Sequence, residues 1–407
     1  MRGDWPDAMT QNGNADVSLE RVSRALDGFE IEVPSWGFAN TGTRFGKFVQ
    51  AGAATDIAEK FADAGEVHRL TGASPTVALH VLWDLPNGKA DVEEIRKLER
   101  RHGVRVGSIN PNLFQSQEYK FGSVANPSAE IRGNARAHLL DSVEIGRELG
   151  SRDVSLWIAD GSNYPGTQSM RKRIEWMEEV LGATHAALGD GQRMLIEYKP
   201  FEPAFYHTDI ADWGMALELA RRAGPKAKVL VDTGHHAQGT NIEQIVAWLL
   251  HLGALGGFHF NDRKYADDDL TLGSIDPYQV FRIFHEILSA DASETAGLAF
   301  MIDQSHNLKG KMEAMVQTVV TAQELYARAA LVDRERLAEL QQECRLVEAE
   351  ECFRSAFWTD VRPSVRAWRR SRGLPEDPLR ALLEGGYTER IARERGVKNA
   401  TATASYA

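Results

Sequence analysis

Residues 228–235 read KVLVDTGH: an unbroken aliphatic run, then an aspartate, then a glycine and a histidine within three residues. A strand buried on both faces is written in continuous Val, Ile and Leu, so this run predicts a parallel strand with Asp232 at its carboxyl end. The arrangement recurs: MLIE (194–197) delivers Glu197, GFHF (257–260) delivers His259 and AFMID (299–303) delivers Asp303. The carboxyl ends of parallel strands face a common ligand mouth, so four residues of metal-binding types arriving there predict a metal site. Singly, each has an ordinary reading, the aspartates as helix caps and the histidine as a hydrogen-bonded core residue. Together, three carboxylates so close would raise one another's pKa and add to the cost of burial, and a divalent cation removes that conflict.

Working outward, strand and helix alternate along the chain. An amphipathic helix over 18–28, opening on Ser18 and closing on Gly28, leads into a first strand in FEIEV (29–33). Further strands are predicted at 76–82, 104–109, 153–158, 193–197, 228–232, 256–260 and 297–302, with helices over 55–71, 90–102, 128–149, 166–188, 209–223, 241–252, 276–289 and 311–331. Eight strands each followed by a helix predict an α/β fold, the (β/α)8 TIM barrel, which typically takes about 250 residues plus insertions. An open doubly wound sheet would carry a glycine-rich first turn, and EVPSWGFAN (32–40) is not one. The predicted organisation is a polar tail over 1–17, a catalytic barrel over 18–332, a helical extension over 333–390 and a flexible tail over 391–407. Phe353, Phe357, Trp358 and Trp368 of the extension are expected to bury on the barrel or on a neighbouring subunit.

The 407 residues carry a formal charge of −11, which disfavours a nucleic-acid partner needing a basic face. The most apolar window, 245–260, is interrupted by His251 and three glycines and falls short of a membrane span. Cys344 and Cys352 form neither a disulfide framework nor a CxxC box, and the expected compartment is the reducing cytoplasm.

The loops after these strands add His235, Asp267 and Asp269, which predict a second metal site beside the first with Asp232 bridging the two. Carboxylates with one imidazole per site and no thiolate favour Mn²⁺, with Co²⁺ or Mg²⁺ as alternatives. Lys199, two residues past Glu197, is placed to donate to a substrate oxygen that gains negative charge. At the end of the second strand His80 and Asp84 are spaced for a carboxylate to tune an imidazole for proton transfer. Trp36, Trp83 and Trp157 gather at strand ends, where a dry wall would shield a hydride moving between carbons.

IEYKP (196–200), VDTGHHAQGTNIEQIVA (231–247) and GGFHFNDRKYADDDLTLGSIDPYQVFRI (256–283) resemble the corresponding motifs of the bacterial L-rhamnose isomerase family, within the xylose isomerase-like barrels. The resemblance extends over about residues 15–390. It implies aldose–ketose isomerisation, chiefly L-rhamnose to L-rhamnulose with relaxed specificity, by a homotetramer with two divalent ions per subunit. It implies that Glu197, Asp232, His259 and Asp303 hold a structural ion, and that Asp232, His235, Asp267 and Asp269 hold a catalytic one. Lys199 would polarise O1 of the open sugar, His80 with Asp84 would assist ring opening, and Trp36, Trp83 and Trp157 would line the apolar side. Phe45 would reach into a neighbour's pocket. A ketose 3-epimerase is the alternative, similar in barrel and ligands but wanting two glutamates as paired acid and base around one metal. A metal-dependent phosphodiesterase is disfavoured by the acidic charge. A metal-stabilised binding protein would lose melting temperature, not sugar conversion, on chelation.

Overall fold

The structure, a computed structural model, describes residues 13–43, 46–202, 205–305 and 307–397. Eight parallel strands form one sheet in chain order: β1 (Val33–Pro34), β2 (Thr76–His80), β3 (Arg105–Asn110), β4 (Asp153–Trp157), β5 (Arg193–Glu197), β6 (Ala227–Asp232), β7 (Leu255–Phe260) and β8 (Ala299–Ile302). The sheet closes on itself at Glu32, which bridges Met301: its N–H donates to the Phe300 carbonyl at 2.8 Å and its carbonyl accepts from Ile302 N–H at 2.9 Å. The predicted TIM barrel is therefore present.

Helix α1 (Gly13–Asp27) precedes the barrel, and α2 (Ile57–Thr71), α3 (Val92–His102), α4 (Ala129–Leu149), α5 (Met170–Ala187), α6 (Trp213–Ala223), α7 (Ile242–His251), α8 (Pro277–Ser289) and α9 (Lys311–Ala330) follow the eight strands in turn. Side chains of Asp56, Ser128, Asp212, Asn241 and Asp276 accept from the first helical turns and fix where these helices start.

Several boundaries differ from the sequence reading, among them the starts of α5 and α6, which open four residues later than expected. Helix α1 opens at Gly13 instead of Ser18, and of the run FEIEV only Val33, continued by Pro34 beyond it, pairs with β2, opposite Val77 and Ala78. Pro34 has no N–H to continue that ladder.

Alternation along the strands decides what reaches the mouth. Leu195, Leu230, Ala299 and Met301 form a small apolar cluster of their own inside the barrel, while Met194, Ile196, Val229, Val231, Phe258 and Ile302 belong to the larger core under the helices. Successive side chains point to opposite faces, so the position two beyond each inward residue is inward again. Leu195 leads to Glu197, Leu230 to Asp232, Gly257 to His259 and Met301 to Asp303.

Lower in the barrel Glu32 reaches across to β3, where its carboxylate accepts from Ser108 N at 3.0 Å and Ser108 Oγ at 2.6 Å. A Cβ on Gly107 would overlap that carboxylate. Gly107→Ala is expected to cost about 1–3 kcal/mol of stability through overpacking, read as a lower denaturant midpoint. An unchanged midpoint would show that Glu32 has room to move aside.

Past the barrel, α10 (Arg334–Gln342), α11 (Leu346–Trp358), α12 (Arg362–Ser371), α13 (Pro378–Glu384) and α14 (Tyr387–Arg395) pack back on its outside. Phe353 and Phe357 sit on Phe281 of α8 at 4.9 and 5.3 Å between ring centroids, and Trp368 donates to Asp27 of α1 at 2.8 Å. Trp358 does not bury on the barrel and is 71% exposed on the single chain. The tail expected from residue 391 is helical to Arg395, so a boundary at 390 cuts α14 in two.

Candidate metal centre and active site

Glu197, Asp232, His259 and Asp303 each bring a ligand atom to within 4.8 Å of the others, and so do Asp232, His235 and Asp267. Asp232 belongs to both groups, and it is fully buried at the shared edge. Its carboxylate is fixed from behind: Gly234 N donates to Oδ1 at 2.6 Å, and the Asn261 amide donates to Oδ1 at 3.0 Å and Oδ2 at 3.2 Å.

The tight turn after β6 turns His235 back over this edge. Its Nδ1 lies 3.0 Å from the Tyr198 carbonyl, which favours a proton there and leaves Nε2 facing Asp267 at 3.3 Å. His259 Nδ1 lies 3.3, 3.9 and 3.7 Å from oxygens of Glu197, Asp232 and Asp303. It is buried and has no hydrogen-bond partner among the described residues, as is Asp267 Oδ1. Asp303 accepts from the Trp36 indole N–H at 2.9 Å. Trp36, expected only as wall, therefore also holds a candidate ligand in place.

The acidic loop divides its labour. Asp267 points inward, and Asp268 accepts from the N–H groups of Lys264 and Tyr265, stiffening the loop. Asp269, in the left-handed region at φ 47°, turns its side chain onto Asp267. Asp269 thus stands one step outside the second group of ligand atoms.

Charge is unbalanced without a cation. Burial, reinforced by Glu197 and Asp303, raises the Asp232 carboxyl to about 7, and burial with Asp267 close by pushes Asp269 well up. Burial alone would lower the imidazoles, but the carboxylates win: Glu197 and its neighbours lift His259 to about 9, and Asp232 and Asp267 lift His235 to about 10. The ion-free cluster thus holds protons on the nitrogens that a metal needs as lone pairs. Orphaned buried donor atoms, hard oxygen ligands and surplus negative charge together fit divalent cations. Because the imidazole pKa values are raised, both rings are charged at neutral pH and lose that proton as pH rises. Mn²⁺ binding is therefore expected to release protons and to tighten from pH 6 to pH 9. Calorimetry in buffers of different ionisation enthalpy reads this, and an affinity flat across that range would refute it.

Lys199 stands at the edge of the second group, its Nζ 2.6 Å from Asp267 and 2.9 Å from Glu202 and 5.1 Å over the Trp157 ring. The expected His80–Asp84 dyad takes a different form. Asp84 accepts from the backbone N–H of His80 at 2.7 Å, from Ser35 Oγ at 2.5 Å and from buried Lys60 at 2.6 Å, and these bonds do not involve the imidazole. A short turn brings the carboxylate under the strand end, where the backbone amide is nearer than the ring. The His80 ring lies against Trp83 at 3.9 Å, with Trp36 at 5.9 Å and Phe114 at 5.5 Å, and burial lowers its pKa to about 4. Phe114 in turn packs on Trp157 at 4.7 Å, completing an aromatic wall from β1 to β4. Phe45 lies outside the described residues. Asn261, Lys60, Ser35, Glu202 and Phe114 were not read from the sequence as site residues. Asn261 alone had a clue, since it follows the predicted β7 directly.

A family model for the xylose isomerase-like TIM barrel matches residues 72–288. The chain is 39% identical to a probable sugar isomerase of Mesorhizobium japonicum over 93% of its own length and 89% of that protein, and it matches a probable sugar isomerase of Rhizobium meliloti to the same extent. L-ribulose 3-epimerase superposes with a TM-score of 0.54 at 14% identity, over 77% of this chain and 97% of that one, a likeness of fold. By its barrel, and by matches spanning half the chain in one comparison and nearly all of it in the other, the chain belongs to the xylose isomerase-like TIM barrel family.

Proposed function

We propose that this protein is a divalent-metal-dependent aldose–ketose isomerase that converts L-rhamnose to L-rhamnulose, with relaxed specificity for other aldoses, by a 1,2-hydride shift. The observation that carries the reading is the pair of ligand groups sharing Asp232, with a paired lysine ammonium at their edge. The probable sugar isomerases that the chain resembles over most of their length support the reaction class. The choice of L-rhamnose rests on the motif resemblance.

Glu197, Asp232, His259 and Asp303 would hold one ion, and Asp232, His235 and Asp267, with Asp269 behind them, the other. Bound there, Mn²⁺ would supply Lewis acidity that polarises the sugar's carbonyl and hydroxyl oxygens. Lys199 keeps its proton, because Asp267 and Glu202 outweigh its burial and raise its pKa, and it donates to O1 as that oxygen gains charge. His80 is neutral at pH 7 and so is able to accept the hydroxyl proton released when the sugar ring opens. The aromatic wall of Trp36, Trp83, Trp157 and Phe114 excludes water from the carbons between which hydride moves. A cytoplasmic homotetramer belongs to the same proposal, with Phe45 of each subunit entering a neighbour's site.

The test is ketose formation from an aldose panel including L-rhamnose, using chelator-treated protein with Mn²⁺, Co²⁺ or Mg²⁺ added back. Metal-restored conversion of an aldose with no solvent deuterium at the migrating position is the expected result. Solvent deuterium there would replace the hydride shift by an enediol route. A ketose that yields only its C3 epimer would move the assignment to an epimerase.

A further inference from the structure

The last helix makes contacts that packing alone does not require. Arg395 of α14 is partly buried, its side chain 7% exposed, and it pairs with both oxygens of Asp63 on α2, at 2.7 and 2.9 Å, while Tyr387 donates to the same carboxylate at 2.7 Å. The guanidinium also donates to the Gly52 carbonyl at 2.8 Å, and Gly52 N donates back to the Gly396 carbonyl at 3.2 Å. Gly52 sits at φ +82°, and a Cβ there would lie 3.1 Å from Ala392 N, so the loop and the helix meet backbone to backbone.

Gly52 belongs to the connection between β1 and α2. Two residues on, Ala54 N donates to the Phe38 carbonyl at 2.9 Å and pairs with Ala39, and Gln50 N donates to Asn40 at 2.9 Å. The Gln50 amide reaches over to the Asn307 and Lys309 carbonyls, at 3.1 and 2.9 Å, on the loop after β8. Residues 35–38 form one short 3-10 turn, and it carries the Trp36 indole that donates to Asp303. An unbroken series of backbone and side-chain bonds thus runs from α14 to a candidate metal ligand.

We infer that α14 is a clamp on the β1–α2 loop and that Arg395 is a positioning residue for Asp303, acting through Gly52, the 38–40 backbone and Trp36. This rests on the reading of Asp303 as a ligand. Burying an ion pair is weak evidence for stability, because desolvation offsets the attraction. Besides Asp63, Arg395 bonds the Gly52 carbonyl at 2.8 Å and the Glu59 carbonyl of α2 at 3.3 Å, so it ties the loop to α2 and α14 together.

The experiment uses the full chain carrying Arg395→Met or Trp36→Phe, with Asp63→Asn as a gentler clamp variant. Trp368→Phe serves as control, since it removes the extension's bond to α1 far from the loop. Hydrogen exchange of the Gly52 and Ala54 amides in ion-free protein, and Mn²⁺ titration followed by electron paramagnetic resonance, are read in each. Arg395→Met and Asp63→Asn are expected to speed exchange at 52–54. With Trp36→Phe, they are expected to weaken the same one class of Mn²⁺ site by about tenfold, the low end for losing an outer partner of a ligand. Trp368→Phe is expected to change neither. Unaltered exchange in both clamp variants, or equal weakening of both Mn²⁺ classes, would overturn the inference. A wild-type chain that binds no Mn²⁺ would instead overturn the metal reading, and the exchange measurement would still decide whether the clamp exists.

Discussion

Asp232→Ala is expected to strip both ions from the protein and to lower ketose formation by more than about 100-fold, the upper end for losing merely an outer partner of a ligand. Asp232 is the residue common to the two groups of ligand atoms, so its removal leaves each with one carboxylate fewer and no bridge between them. Replacing a ligand belonging to one group, as in Asp303→Asn, is expected to cost one ion. The ion-free Asp232→Ala protein should still fold. It leaves the N–H of Gly234 and the amide of Asn261 without their acceptor, a cost of about 1–3 kcal/mol. It also relieves the repulsion from Glu197 and Asp303 that helps raise the Asp232 pKa, which works in the opposite direction. Metal-to-protein ratio and ketose assay at saturating Mn²⁺ check this. A variant that still holds one ion tightly would refute the shared ligand.

The barrel and the cluster of candidate metal ligands at its mouth were legible because one rule wrote both. A parallel strand in a barrel is aliphatic on two faces until it emerges at the mouth, so the first polar side chain after MLI or VLV marks the strand's end and the site together. That signal fails where the strand is short. FEIEV alternates because Glu32 lies inside the barrel bonded to Ser108, and only Val33 of the run pairs with β2 while Glu32 bridges to Met301. Local spacing also misled at His80 and Asp84, since four residues predict proximity but not which atom is met. The carboxylate's charge is balanced by Lys60, 24 positions earlier on the preceding helix α2, and no short motif spells such a pair. Trp36 was read from its residue type and its place after the first strand, and neither tells an indole that walls a cavity from one that donates to a carboxylate. The extension was opaque for a related reason. Asp63 and Arg395 are 332 residues apart, and each alone reads as an ordinary charge on a solvated helix face.

Lys199→Met is expected to lower kcat by about 10²–10³, as for removal of one donor to a developing oxyanion, with little change in KM. The ammonium lies between Asp267 and Glu202, and their attraction outweighs the effect of burial, so it stays charged through the working pH range and has no free pair with which to act as a base. Its chemical contribution is therefore a fixed positive charge and a proton donor, both of which methionine lacks while filling much of the same stem volume. The same geometry fixes the sign of a second effect. With the lysine gone, Asp267 loses a neutralising partner at 2.6 Å and presents a less compensated carboxylate to the second group of ligand atoms. Mn²⁺ should bind there at least as tightly as in the parent protein, so activity falls while affinity holds or rises. General damage to the site would lower both together. Lys199→Arg is not expected to rescue turnover, because a planar five-donor fork does not reproduce a compact ammonium seated between two carboxylates over the Trp157 ring. Retention of most turnover in Lys199→Met would remove the lysine from the chemistry and leave its pairing with Asp267 as a means of holding the acidic loop.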